Sequence, residues 1–129
     1  VNVTRADMSA LRDRRILVVE DDPLIAMEIA DLLAAQGAEP VGPTPTVRAA
    51  LAALADGPPD LALLDLNLRG ECGTPVAAAL HEAGVPFVLT SGYARTQIDE
   101  PALAQVPLVP KPIDHRLLIA TLRRLLPTG

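Results

Sequence analysis

Four short apolar runs end abruptly in polar residues. They are Ile16-Leu17-Val18-Val19 before Glu20-Asp21-Asp22-Pro23, Leu61-Ala62-Leu63-Leu64 before Asp65, Phe87-Val88-Leu89-Thr90 before Ser91-Gly92, and Leu108-Val109 before Pro110-Lys111-Pro112. The first, a short continuous apolar run, suits a strand covered on both faces, as in a parallel sheet, and the others are read as further strands of it. Pro40-Val41-Gly42 is a weaker fifth candidate. Helical spacing fills most of the gaps. Asp22 and Pro23 suit the start of a helix carrying Leu24, Ile25, Ile29, Leu32 and Leu33, which Gly37 ends. Thr46 caps a second helix with Val47, Leu51 and Leu54, closed by Gly57-Pro58-Pro59. A loop over 67–74 leads to a helix over 75–83 that Gly84 closes, and a last helix starts near Asp114 with Leu117, Leu118, Ile119, Leu122, Leu125 and Leu126. The stretch 94–107, with Pro101 and Pro107, predicts irregular structure with a short helical piece around 100–105. Strand and helix alternating with short loops predict an α/β domain, a parallel sheet with helices on both faces.

Composition bounds the reading. The 129 residues suit one domain, and 50% hydrophobic against 21% charged excludes wholesale disorder. A net charge of −5 argues against direct nucleic acid binding. The lone Cys72 excludes an internal disulfide framework and a Cys-rich zinc site. No apolar run approaches a membrane span and the start lacks a signal-peptide pattern, so a soluble, cytoplasmic domain is expected. Residues 1–14 are polar and predict a tail or linker before a domain over 15–129. Val1 in place of Met fits either a processed chain or a piece of a longer protein.

The chemistry follows from the topology. The ends of parallel strands share one edge of an open sheet, where ligand sites form. Glu20, Asp21, Asp65, Ser91 and Lys111 all follow predicted strands, so three carboxylates, a hydroxyl and an ammonium would converge. Carboxylates this close need a neutraliser, and an all-oxygen set suits Mg²⁺, with Mn²⁺ as the alternative. A carboxylate beside such a cation and a lysine is a nucleophile toward phosphoryl groups, and Gly92 leaves space for one. Each motif alone has a plainer reading, as a helix N-terminal acid cluster, a turn or a cap. Their joint occurrence at strand ends favours an aspartyl-phosphate site.

These segments, with Leu63-Leu64-Asp65-Leu66-Asn67-Leu68 and Val109-Pro110-Lys111-Pro112 foremost, resemble the receiver domains of two-component response regulators, the CheY-like superfamily, over about residues 15–126. The resemblance implies a flavodoxin-like (βα)5 doubly wound sheet with strand order 2-1-3-4-5. It implies Asp65 as phosphoacceptor, Asp21 as a direct Mg²⁺ ligand, Glu20 acting through a metal-bound water, and the backbone carbonyl of Asn67 as a further ligand. Ser91 is then the switch hydroxyl, Lys111 the phosphate-pairing lysine, and the Lys111–Pro112 peptide cis. Leu108 stands where the usual switch aromatic would be. The run 86–93 is similar to the FAT GUY receivers, which makes Tyr93 the switch aromatic candidate.

Such a domain would take a phosphoryl group from a sensor histidine kinase or histidine phosphotransfer protein, without being an enzyme in its own right. It would signal as a stand-alone regulator by contact with a downstream protein, and could form a homodimer through its helix 4–strand 5–helix 5 face. The alternative context is the C-terminal receiver of a hybrid sensor histidine kinase. A phosphatase of haloacid-dehalogenase type fits less well, because Glu20-Asp21-Asp22 lacks the required Asp-x-Asp spacing. A flavodoxin-like cofactor binder fits poorly, because the first loop is acidic.

Overall fold

A computed structural model describes residues 10–92 and 101–126. Five strands, β1 (Arg15–Val19), β2 (Glu39–Thr44), β3 (Leu61–Asp65), β4 (Phe87–Ser91) and β5 (Leu108–Pro110), form one sheet in the order β2-β1-β3-β4-β5. Every pairing in it is parallel. Four helices accompany them among the described residues: α1 (Pro23–Ala35), α2 (Val47–Ala55), α3 (Thr74–Glu82) and α4 (His115–Leu125). The doubly wound flavodoxin-like arrangement expected from the sequence is therefore present. In the fourth strand–helix unit, a short 3₁₀ turn at Pro101–Leu103 is the described helical structure.

The apolar runs form strands because both of their faces are covered. Alternate residues of β1 point opposite ways: Leu17 and Val19 pack with Ala62, Leu64 and Leu89 beneath α2 and α3. Ile16 and Val18 pack with Leu61, Leu63, Val88 and Val109 beneath α1 and α4. All five residues of β3 and of β4 are buried. Edge strand β2 is longer than its apolar centre and accommodates Pro40 and Pro43, because its outer side needs no donors.

Capping sets the helix starts where the sequence places them. Asp22 accepts from the Leu24 and Ile25 amides, Thr46 from Ala49, and Asp114 from Arg116 and Leu117. The folded unit reaches further back than the expected boundary at residue 15. Leu11 is buried in the α1–α4 core, and the Asp13 amide donates to the Gly37 carbonyl at 2.8 Å. The expected tail is thus packed at its C-terminal end; residues 1–9 lie outside the described residues. Among the described residues, no helix is long and apolar enough to cross a membrane.

Leu63, fully buried at the sheet centre, and Leu24, 79% exposed on α1, offer a matched pair. Leu63→Ala is expected to cost about 2–5 kcal/mol in denaturant unfolding, whereas Leu24→Ala changes stability by less than about 0.5 kcal/mol.

Candidate functional site

The parallel strands deliver their polar termini to one edge. Glu20 follows β1, and its amide donates to the Thr44 carbonyl at 3.1 Å. The Thr44 hydroxyl donates in turn to the Val18 carbonyl at 3.0 Å, so the end of β2 holds the β1–α1 turn. Glu20 is only 2% exposed. Its Oε2 accepts the Asp22 amide at 3.0 Å. Its Oε1 is buried and accepts no well-directed hydrogen bond, although Lys111 Nζ lies 2.8 Å away.

Asp65 closes β3 and is also buried. Its Oδ1 accepts the Asn67 amide at 3.0 Å, and its Oδ2 accepts from Lys111 Nζ at 2.8 Å. Lys111 is placed by its own backbone, whose amide donates to the Ser91 carbonyl at 2.8 Å, and the Lys111–Pro112 peptide is cis, as the resemblance implies. Ser91 itself is buried at the end of β4. One ammonium thus bridges two buried carboxylates from different strands. Asp21 completes the set: Glu20, Asp21 and Asp65 each offer an oxygen, all within 4.8 Å of one another. An open cavity of about 400 Å³ is lined by these three residues with Asn67, Gly92 and Lys111. A Cβ built at Gly92 would meet no described atom within 4 Å. Tyr93 lies outside the described residues.

The electrostatics follow from burial. Desolvation raises the Glu20 pKa above the usual carboxylate value, and the charge of Asp65 adds to that, while contact with Lys111 and the Asp22 amide offsets only part of it. Burial alone would lower the Lys111 pKa, but its contacts with Asp65 and Glu20 outweigh it and raise the value. Three carboxylates, each offering an oxygen within 4.8 Å of the others, fit a hard divalent cation.

The segment after Asp65 holds features the sequence reading missed. Within the expected loop, Asn67–Leu68 and Glu71–Cys72 form a two-residue antiparallel hairpin. Arg69 and Gly70 both take positive φ, 55° and 83°, the conformation that suits a tight hairpin turn. Asn67 Oδ1 accepts the Gly70 amide at 3.1 Å and locks that turn. Gly73 folds the hairpin back against β3: a Cβ there would stand 2.9 Å from the Asp65 carbonyl oxygen and 3.1 Å from Leu64. Glu71 accepts the Val47 amide at 3.3 Å, tying the hairpin to the start of α2. Arg69 reaches Asp21, with Nε 3.7 Å from Oδ2 and Nη2 donating to the Asp21 carbonyl at 3.3 Å.

Comparison with known proteins agrees with this geometry. The model of the response regulator receiver domain family matches residues 16–123. The transcriptional regulatory protein PdtaR of Mycobacterium tuberculosis is 28% identical over 97 residues, 74% of this chain and 47% of PdtaR. The chain therefore spans about half the length of the curated relatives it matches. Among solved structures, SdrG of Sphingomonas melonis Fr1 is 42% identical with TM-score 0.77, covering 91% of this chain and 98% of that one. The BeF3-activated conformation of SdrG, from Pseudomonas melonis Fr1, is 39% identical with TM-score 0.73, covering 87% and 96%. The receiver domain of PhyR from Erythrobacter litoralis is 27% identical with TM-score 0.80, covering 93% and 98%.

Glu20→Gln isolates the burial cost of one carboxylate. A raised folded-state pKa means the folded protein keeps the Glu20 proton to higher pH than the unfolded chain does. The Glu20 contribution to stability therefore declines as pH rises from the unfolded value through the folded one. In divalent-cation-free buffer at neutral pH, Glu20→Gln should raise stability and flatten that decline, measured by urea unfolding across pH.

Proposed function

The chain belongs to the response regulator receiver domain family, and from this membership and the site geometry we propose that it accepts a phosphoryl group on Asp65. The donor is the phosphohistidine of a sensor histidine kinase or histidine phosphotransfer protein. The carrying observation is the single ammonium of Lys111, 2.8 Å from both Asp65 Oδ2 and Glu20 Oε1, inside a set of three clustered carboxylates.

In the transfer, an Asp65 carboxylate oxygen attacks phosphorus. The new P–O bond forms as the P–N bond of the donor breaks, and the electron pair stays on the departing imidazole nitrogen. Lys111 already neutralises the attacking carboxylate, and after transfer it pairs with the anionic phosphoryl oxygens. The buried hydroxyl of Ser91 donates to those oxygens, and Gly92 leaves room for them. Glu20, Asp21, Asp65 and the Asn67 carbonyl would hold Mg²⁺, or Mn²⁺ in its place. When bound, the ion supplies further charge stabilisation for the transferring group. The response then passes to another protein by contact with the altered domain, which fits the acidic net charge of −5 better than binding of nucleic acid does.

The test is intact-mass spectrometry after incubation with acetyl phosphate and Mg²⁺. A single phosphoryl group is expected on the wild type and none on Asp65→Asn. Asp21→Ala should slow labelling about tenfold or more, a barrier change of about 1.4 kcal/mol. Undiminished labelling of Asp65→Asn would remove the assignment.

A further inference from the structure

The inner lysine serves only two of the three carboxylates. Lys111 is engaged by Glu20 and Asp65, while Asp21 is met by Arg69, which lines the same cavity from its more exposed side. The three clustered carboxylates are thus met by two cations, and the more exposed cation, Arg69, lies on the most exposed of the three acids, Asp21. The Asp21 side chain is 18% exposed, against 1% for Glu20 and 6% for Asp65.

The position of Arg69 is built in. Positive φ is uncommon for a residue with a Cβ, yet Arg69 holds it at 55° as the first residue of a two-residue turn. That turn is closed through Asn67, which also donates its amide to Asp65. The hairpin thus hangs from the same carboxylate that anchors the site, and it aims an arginine back across 48 residues of sequence at Asp21.

With its side chain 71% exposed, the Arg69–Asp21 pair contributes little to folding. Its consequence lies elsewhere. Asp21 Oδ2, the oxygen facing Arg69, belongs to the carboxylate that a divalent cation must also claim. The guanidinium is tied separately to the Asp21 backbone carbonyl, so rotation of the carboxylate toward an ion does not remove the positive charge from the rim. We propose that Arg69 is a positioning residue that occupies Asp21 in the cation-free protein and opposes divalent cations, and so sets the cation affinity of the site. This inference rests on the divalent-cation reading of the carboxylate cluster.

Mn²⁺ is the probe, and its free concentration is read by electron paramagnetic resonance in titrations of the full chain. Arg69→Asn keeps a residue that tolerates positive φ, and Arg69→Gln keeps most of the side-chain stem; circular dichroism checks folding of both. Each should bind Mn²⁺ about three- to tenfold more tightly than the wild type at low ionic strength, with the gap narrowing as salt screens the guanidinium. Arg69→Lys should stay close to the wild type. A purely structural arginine would leave affinity unchanged or weaken it on removal, and either result in the folded variants overturns the inference. Asp21→Asn serves as the reference, with binding lost. Failure of the wild type itself to bind Mn²⁺ would take down the cation reading instead, a result distinguishable from equal binding by wild type and Arg69 variants.

Discussion

The ammonium of Lys111 is the interaction on which the rest of the site depends. Two buried carboxylates from β1 and β3 converge at the edge of the sheet, and charges removed from water need partners. Lys111 supplies one at 2.8 Å from each. The fold serves this contact directly. Glu20 and Asp65 end adjacent strands, β1 and β3, while Lys111 ends β5, two strands beyond β3 and three beyond β1, so its side chain reaches back across the sheet edge to both acids. The backbone hydrogen bond from Lys111 to Ser91 fixes the lysine at the end of β5. The contact does not fully offset burial, because desolvation still raises the Glu20 carboxyl pKa.

Much of this was legible because apolar runs covered on both faces leave few alternatives. Val18-Val19 before Glu20-Asp21 and Leu63-Leu64 before Asp65 mark both a central parallel strand and the edge where its polar end must lie. The caps Asp22, Thr46 and Asp114 were legible for an equally local reason: their side chains accept amides two or three residues ahead. Thr44 was missed as part of the site. Its role depends on a carbonyl 26 residues earlier, and β2 runs past the apolar triad that announced it.

The hairpin after Asp65 was the larger omission. Two-residue strands have no periodicity to detect, and the one local sign was Arg69-Gly70 between polar residues. Even that sign predicts a turn and no more. That Arg69 reaches Asp21 depends on positive φ at residue 69 and on the fold-back at Gly73, where a Cβ would crowd the Asp65 carbonyl. Leu11 shows the same limit at the other end. A single leucine between Ala10 and Arg12 has no apolar periodicity around it to announce burial, yet it fills a place in the α1–α4 core. Sequence pattern thus located the residues that act through strand ends, and missed those placed by single turns.

A double-mutant cycle on Lys111 tests the shared-ammonium account most directly. Lys111→Met and Asp65→Asn are made singly and together, and unfolding free energies are compared in divalent-cation-free buffer at neutral pH. Lys111→Met alone should be strongly destabilising, because it leaves buried carboxylates uncompensated. In the Asp65→Asn background the same change should cost less by about 1 kcal/mol or more. Additive effects within about 0.3 kcal/mol would show that Lys111 and Asp65 are energetically independent, and would contradict the account.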